Sequence, residues 1–274
     1  MARPSPANPM TDSAANALND LEIRSYFVRR RNALLVRAEF GPMYEDYYLH
    51  WLQHGIRIPA AADAVLKDAL AALVLHLASR PRDEVVAWTV NFQEPLLSLF
   101  VTGSTLPGNV VGRVWTDGVR VAECGLFCAE TRTGSGQQRR SNVEFPPGDF
   151  FTVTEAYYTR SEQRQARLFR IGPEDFVMIT AQPECDLAWL AGLDDATVRA
   201  LDQTEELSLL ETRHYQFDCG CTADRIVARL AVLSADDRAA MFGDGDTARV
   251  DCPRCGAIFE ITRGMFDAHD GGPA

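Results

Sequence analysis

Apolar and polar residues alternate with period two along LEIRSYFVRRRNALLVRAEF, which predicts one or two strands between Ile23 and Phe40. A short helix is expected from Tyr44 to His54. Pro59 then stands where a further helix can begin, and residues 60–79 carry apolar side chains at helical spacing until Arg80-Pro81 ends the run. Between Glu84 and Val121 the period returns to two in EVVAWTVNF, LLSLFVTG and NVVGRVW, with TDG as a turn before VRV. That stretch reads as an antiparallel sheet. The polar, glycine-bearing segment TRTGSGQQRRSN, residues 131–142, is expected to be a flexible loop. Asp149 to Glu162 reads as another helix, and ARLFRI and DFVMITAQ as two more strands.

Beyond Pro183 the pattern changes. Residues 184–218 are acidic and leucine-rich, with Leu187, Leu190, Leu193, Leu201, Leu209 and Leu210 among their apolar positions, and read as short amphipathic helices. Apolar faces this large fit a connector docked on the core, and equally one that releases its face. Residues 1–20, MARPSPANPMTDSAANALND, lack the apolar run of a secretory signal and read as a disordered tail. The fold expected is therefore α+β: a sheet-rich N-terminal domain with packed helices at 21–183, a helical linker at 184–218 and a small C-terminal domain at 219–274.

Charge narrows the partners. Against 38 acidic residues stand 27 Lys and Arg, a net of −11, so the molecule as a whole repels phosphate backbones and anionic membrane surfaces. Nucleic acid and membrane are accordingly not expected as partners. The run Arg29-Arg30-Arg31 is the strongest basic patch and reads as an exposed strand face. No phosphate-binding loop, nucleophile elbow, zinc-protease helix or dinucleotide fingerprint is found, and an enzyme is not expected. A cytoplasmic location is expected from the missing signal.

Seven cysteines is an odd number, and cytosolic thiols stay reduced unless they bind metal or perform redox work. Four form two tight pairs, Cys219-Gly220-Cys221 and Cys252-Pro253-Arg254-Cys255, separated by the thirty residues 222–251. Four thiolates in two pairs suit tetrahedral Zn2+, and an extended C-x-C projects both sulfurs to one side. Gly256 after the second pair can take the positive φ of a metal knuckle. Ile226, Val227, Leu230 and Leu233 mark one helix between the pairs, and SADDRAAMFG opens a second at Ser234. ARVDC and AIFEI read as a hairpin around the knuckle. At 56 residues this unit is marginal without a staple. A disulfide across one residue would be strained and readily reduced, which suits a reversible switch. Cys124 and Cys128 share a face and read as buried small residues; Cys185 is either a reactive thiol or packed.

YQFDCGC, the thirty-residue spacer and CPRCGAIFEI, together with EAYYTRSEQRQARLF at 155–169, resemble the heat shock protein 33 family of redox-regulated holdase chaperones. The resemblance implies that Cys219, Cys221, Cys252 and Cys255 bind Zn2+ when reduced. It implies that oxidation pairs Cys219 with Cys221 and Cys252 with Cys255, releases the metal and unfolds the module with its linker. It further implies ATP-independent binding of unfolding client proteins and a homodimer on oxidation. The linker is shorter than is usual in that family, the N-terminal tail is extra, and Cys124, Cys128 and Cys185 lie outside its signature. Two other functions stay open: a constitutive protein-binding module with a purely structural zinc, and a thiol-disulfide oxidoreductase using the Cys252/Cys255 pair.

Overall fold

A computed structural model describes residues 20–270, so the expected tail falls, but for Asp20, outside the described residues. Strands β1 (Leu21–Val28) and β2 (Ala33–Glu39) form a hairpin. Burial alternates along β1, with Leu21, Ile23 and Ser25 inward and Glu22 and Arg24 outward, as period-two patterning requires. The Arg29–Arg31 run is the turn of this hairpin rather than a strand face. Helix α1 (Gly41–His54) ends at Gly55 in the left-handed region, φ 60°. Helix α2 (Ala60–Ala78) is apolar almost all round, and its residues from Ala69 to Ala78 are buried. A helix without a polar face belongs inside a core. Leu66, Leu70, Leu73, Val74 and Leu77 are each fully buried, and each stabilises by roughly 1.5–3 kcal/mol relative to exposure.

Strands β3 (Glu84–Gln93), β4 (Leu96–Ser104) and β5 (Asn109–Trp115) follow as an antiparallel meander. VRV, expected as a strand, is irregular. The segment 131–142 is not a loop. It forms most of a hairpin between β6 (Gly125–Thr133) and β7 (Gln138–Phe145), turned at Gly136 with φ 84°. β7 is an edge of the sheet, so much of it faces water, and its arginines discourage pairing with another chain. Edge position explains why a strand reads as a polar loop.

Helix α3 (Phe150–Arg160) starts at Asp149, whose carboxylate accepts from Thr152 N at 2.8 Å. The RSEQ turn follows. Its Glu162 is buried and accepts from Tyr157 Oη at 2.8 Å, Arg139 Nη2 at 2.5 Å and Arg80 Nη1 at 3.2 Å. This motif therefore ties α3, β7 and the end of α2 together. Strands β8 (Ala166–Arg170) and β9 (Asp175–Ala181) pair with each other, and β9 with β2.

Three short helices make up the connector: α4 (Leu187–Ala191), α5 (Asp195–Arg199) and α6 (Leu201–Thr204). The helical reading of 184–218 ends there. Residues 207–217 are strand β10, paired antiparallel with β1 and parallel with β5. Arg213, Tyr215 and Phe217 turn inward at period two, an alternation masked by the acidic, leucine-rich composition upstream. The sheet is thus ten-stranded, in the order β7-β6-β3-β4-β5-β10-β1-β2-β9-β8; β3, β4 and β5 are antiparallel as expected, and the parallel pair is that of β5 with β10. Helices α7 (Ala223–Leu230), α8 (Ala235–Phe242) and α9 (Arg263–Asp270) surround a separate two-stranded sheet, β11 (Thr247–Asp251) and β12 (Ile258–Thr262). The latter is the hairpin expected around the second cysteine pair.

Candidate metal centre

The first thiol loop leaves the sheet at the end of β10. Asp218 N donates to Val110 O at 3.1 Å, and Gly220, at φ 60°, donates its N–H to Asp218 Oδ1 at 2.7 Å. Thr222 then caps α7 by accepting from Arg225 N at 3.2 Å, which ends the loop. The second loop lies between β11 and β12. Cys252 N donates to Ala257 O at 2.7 Å, and Gly256 N to Cys252 O at 2.9 Å. Gly256 sits at φ 80°, the positive region expected of a knuckle.

These two loops bring Cys219, Cys221, Cys252 and Cys255 together, with all four sulfurs within 4.8 Å of one another. Cys219 Sγ lies 3.6 Å from Cys252 Sγ, and Cys221 Sγ 3.5 Å from Cys255 Sγ. Zinc–thiolate bonds of about 2.3 Å in a tetrahedron require sulfurs roughly 3.8 Å apart, so this donor set fits zinc. The short contacts run between the loops, whereas the disulfides implied by the family resemblance run within each loop. Cys219, Cys252 and Cys255 are buried, and Cys221 is partly exposed.

The electrostatics explain why such a cluster calls for a cation. Hydrogen bonds from the Cys219 and Cys255 thiols drive Cys252 strongly down. Sharing with Cys252 pushes Cys219 up to about 12, and hydrogen bonding to Cys219 and Cys252 raises Cys255. Burial raises Cys221. Mutual hydrogen bonding and burial oppose the loss of all four thiol protons together; a divalent cation removes that restriction. Arg254 Nη1 donates to Cys219 O at 3.3 Å and Arg225 Nη1 to Gly220 O at 2.5 Å, adding positive charge around the loops.

The remaining cysteines stay apart. Cys128 sits in β6 opposite Thr89 and Asn142, Cys124 just before that strand, and both are partly exposed rather than buried. Cys185, also partly exposed, packs at the start of the connector against a second apolar cluster. Burial raises all three thiols.

That second cluster is where the connector docks. Leu190, Leu193, Val198 and Leu201 are buried against Val28, Leu35, Phe169, Val177 and Ile179 of the β1-β2-β9-β8 half of the sheet. Arg31, taken from sequence as part of an exposed face, clasps both ends of the connector. It pairs with Asp186 at 2.8 Å and Glu205 at 2.9 Å, and its guanidinium lies 5.5 Å from the Trp189 ring. Sequence reasoning also missed Arg113 of β5, which reaches the second thiol loop; nothing local to NVVGRVW marks it.

An α+β fold with a broad sheet, a docked helical connector and a terminal four-thiol module is an Hsp33-like architecture. The crystal structure of the 33 kDa chaperonin (heat shock protein 33 homolog) from Thermotoga maritima matches with a TM-score of 0.69 at 14% identity, over 90% of this chain and 97% of that one. The family model "Hsp33 protein" matches residues 178–262, which hold the connector, β10 and both thiol pairs. No curated protein matches in sequence. The chain thus resembles the heat shock protein 33 family in fold over most of its length and in sequence around the thiols.

Proposed function

We propose that this chain is a redox-regulated, ATP-independent holdase chaperone of the cytoplasm. Cys219, Cys221, Cys252 and Cys255 hold Zn2+ in the reduced state. The observation that carries this reading is the convergence of four sulfurs from two loops into one mostly buried cluster, which β10 joins in the chain to a connector with a large docked apolar face. The family match over the same residues, and the chaperonin whose fold this chain shares, support it.

Bound there, Zn2+ would keep the sulfurs as thiolates and staple two loops that the small module cannot otherwise hold. The partly exposed Cys221 is the sulfur open to solvent. A peroxide oxidises one thiol to a sulfenic acid and leaves as water; the neighbouring thiol then displaces a second water and forms the disulfide. Pairing Cys219 with Cys221 and Cys252 with Cys255 withdraws sulfurs from both contacts that join the loops. The module, reduced to Ile226, Val227, Phe242, Ala248, Ala257, Ile261 and Phe266 as its buried apolar residues besides the cysteines, then lacks a staple. Loosening passes through β10 to the connector. Its departure bares Leu35, Phe169, Val177 and Ile179 for unfolding clients, with dimerisation accompanying oxidation.

The test measures bound zinc and the suppression of aggregation of a heat-unfolding client before oxidation, after peroxide with mild heat, and after thiol reductant. Zinc release with a reversible gain in suppression is expected. Zinc loss without that gain sinks the chaperone reading, and peroxide-insensitive zinc selects a constitutive structural module.

A further inference from the structure

The ten-stranded sheet has a seam. One half runs β7-β6-β3-β4-β5 and the other β10-β1-β2-β9-β8. Their parallel junction consists of Gln216 opposite Asn109 and Phe217 opposite Val110, whereas β1 and β10 face each other from Leu21/Tyr215 to Val28/Leu207. Gln216 N donates to Gly108 O at 2.9 Å and Asp218 N to Val110 O at 3.1 Å. The strands meet so closely that a Cβ on Gly108, φ 90°, would lie 2.2 Å from His214 O. So short a ladder contributes few backbone bonds where the two halves meet.

Both thiol loops are anchored at this seam. The first continues directly from β10. The second is held from β5 by Arg113, whose Nη1 donates to Cys252 O at 3.1 Å and pairs with Asp251 Oδ2 at 2.5 Å. The guanidinium lies 4.7 Å from the Trp115 ring, and the stem passes Gly256, where an added Cβ would meet Arg113 Nε at 3.4 Å and Cδ at 3.5 Å. A closed circuit results: Val110 to Asp218 by a backbone bond, Cys219 to Cys252 through their sulfurs, and Cys252 back to β5 through Arg113.

We propose that the thiol cluster clamps the seam of the sheet, with Arg113 as the coupling residue, so that an intact cluster keeps the two half-sheets joined. The proposal deepens the reading of the cluster as a metal site. Opening any link of the circuit leaves the junction to its two residue pairs, to α1, whose Tyr47 and His50 rings lie 5.2 and 5.5 Å from that of Phe217, and to the end of α2 and the turn after it, where Arg213 of β10 donates to Leu77 O and Arg80 O. Loss of metal would then be felt first in the core at residues 108–113 and 214–218, ahead of the connector.

Hydrogen exchange read by mass spectrometry on the full chain decides this. In zinc-loaded Arg113→Met, amides at 108–113 and 214–218 are expected to exchange roughly tenfold or more faster, the scale of one lost charge-assisted hydrogen bond. The centres of β2 and β3 should be unchanged. Wild type stripped of zinc should show the same seam pattern. Asp251→Asn, which removes the ion pair and leaves the carbonyl bond, should show a smaller increase at the same peptides. Seam protection that is identical in zinc-loaded Arg113→Met and wild type overturns the proposal. Wild type that binds no zinc overturns the metal reading instead, and the Arg113 comparison still decides the seam.

Discussion

Replacing Leu190 by alanine should release the connector while the thiol module stays intact. Leu190 is fully buried, sits in α4, and packs in the cluster formed with Val28, Leu35, Phe169 and Ile179. Truncating a leucine at such a site costs about 2–5 kcal/mol, because the cavity relaxes only in part. At about 1.4 kcal/mol per factor of ten, the open connector would gain roughly 30-fold in population at the low end and a few thousand-fold at the high end. The same loss weighs on global unfolding, but Leu190 belongs to the connector itself, so detaching 187–204 is the lesser disruption. The assay is hydrogen exchange across 187–204 on reduced, zinc-loaded protein, alongside light scattering of a heat-unfolding client. Faster exchange confined to the connector and aggregation suppression without oxidant are expected. A connector that opens without any gain in suppression would refute the idea that its docked face covers the client surface. Unchanged exchange would refute the assignment of docking energy to this side chain.

Arg31→Ala should loosen the same connector from its two ends, with a smaller effect than Leu190→Ala; exchange that rises at 186–189 and 205 but not in α3 would check it. Cys252→Ser breaks the Cys219 contact and removes one of the four proposed zinc ligands. It should abolish stoichiometric zinc and unfold most of 219–266, since structural zinc contributes on the order of 10–16 kcal/mol to such modules, while the ten-stranded core keeps its circular dichroism. His76 gives a pH prediction. It is fully buried against Trp88, Tyr157 and Tyr158, with Nδ1 2.7 Å from Tyr158 Oη, and burial, then Arg80, Arg164 and Arg139, holds it well below the usual histidine range. The unfolded chain therefore takes up this proton first. The stability is fully present above about pH 6.5 and is lost as pH falls below it, by up to about 1.4 kcal/mol per pH unit. Denaturant midpoints for His76→Gln should show a correspondingly shallower acid slope, and an equal slope would refute the assignment.

Some of this molecule was legible without coordinates. The apolar run that became α2, the strands β1 to β5, and the cap at Ser234, which accepts from Asp237 N, are local patterns, because period and capping are properties of neighbouring residues. The four clustered thiols were equally legible, since chelation requires close pairs and close pairs are visible in a string. Where composition outweighed period, reading failed: polar β7 was taken for a loop and β10 for helix, one because it is an edge strand and the other because acidic residues and leucines precede it. What the sequence determined by itself is which residues bury a face, which cap a helix and which thiols can share a metal. Tertiary structure alone decided that β10 joins two half-sheets in parallel with β5, that Arg31 spans the connector, and that Arg113 meets Cys252 across 139 positions of chain. Those contacts depend on which strand lies beside which. Local periodicity carries no term for that choice; it is settled by the packing of α2 and the sheet around a common core.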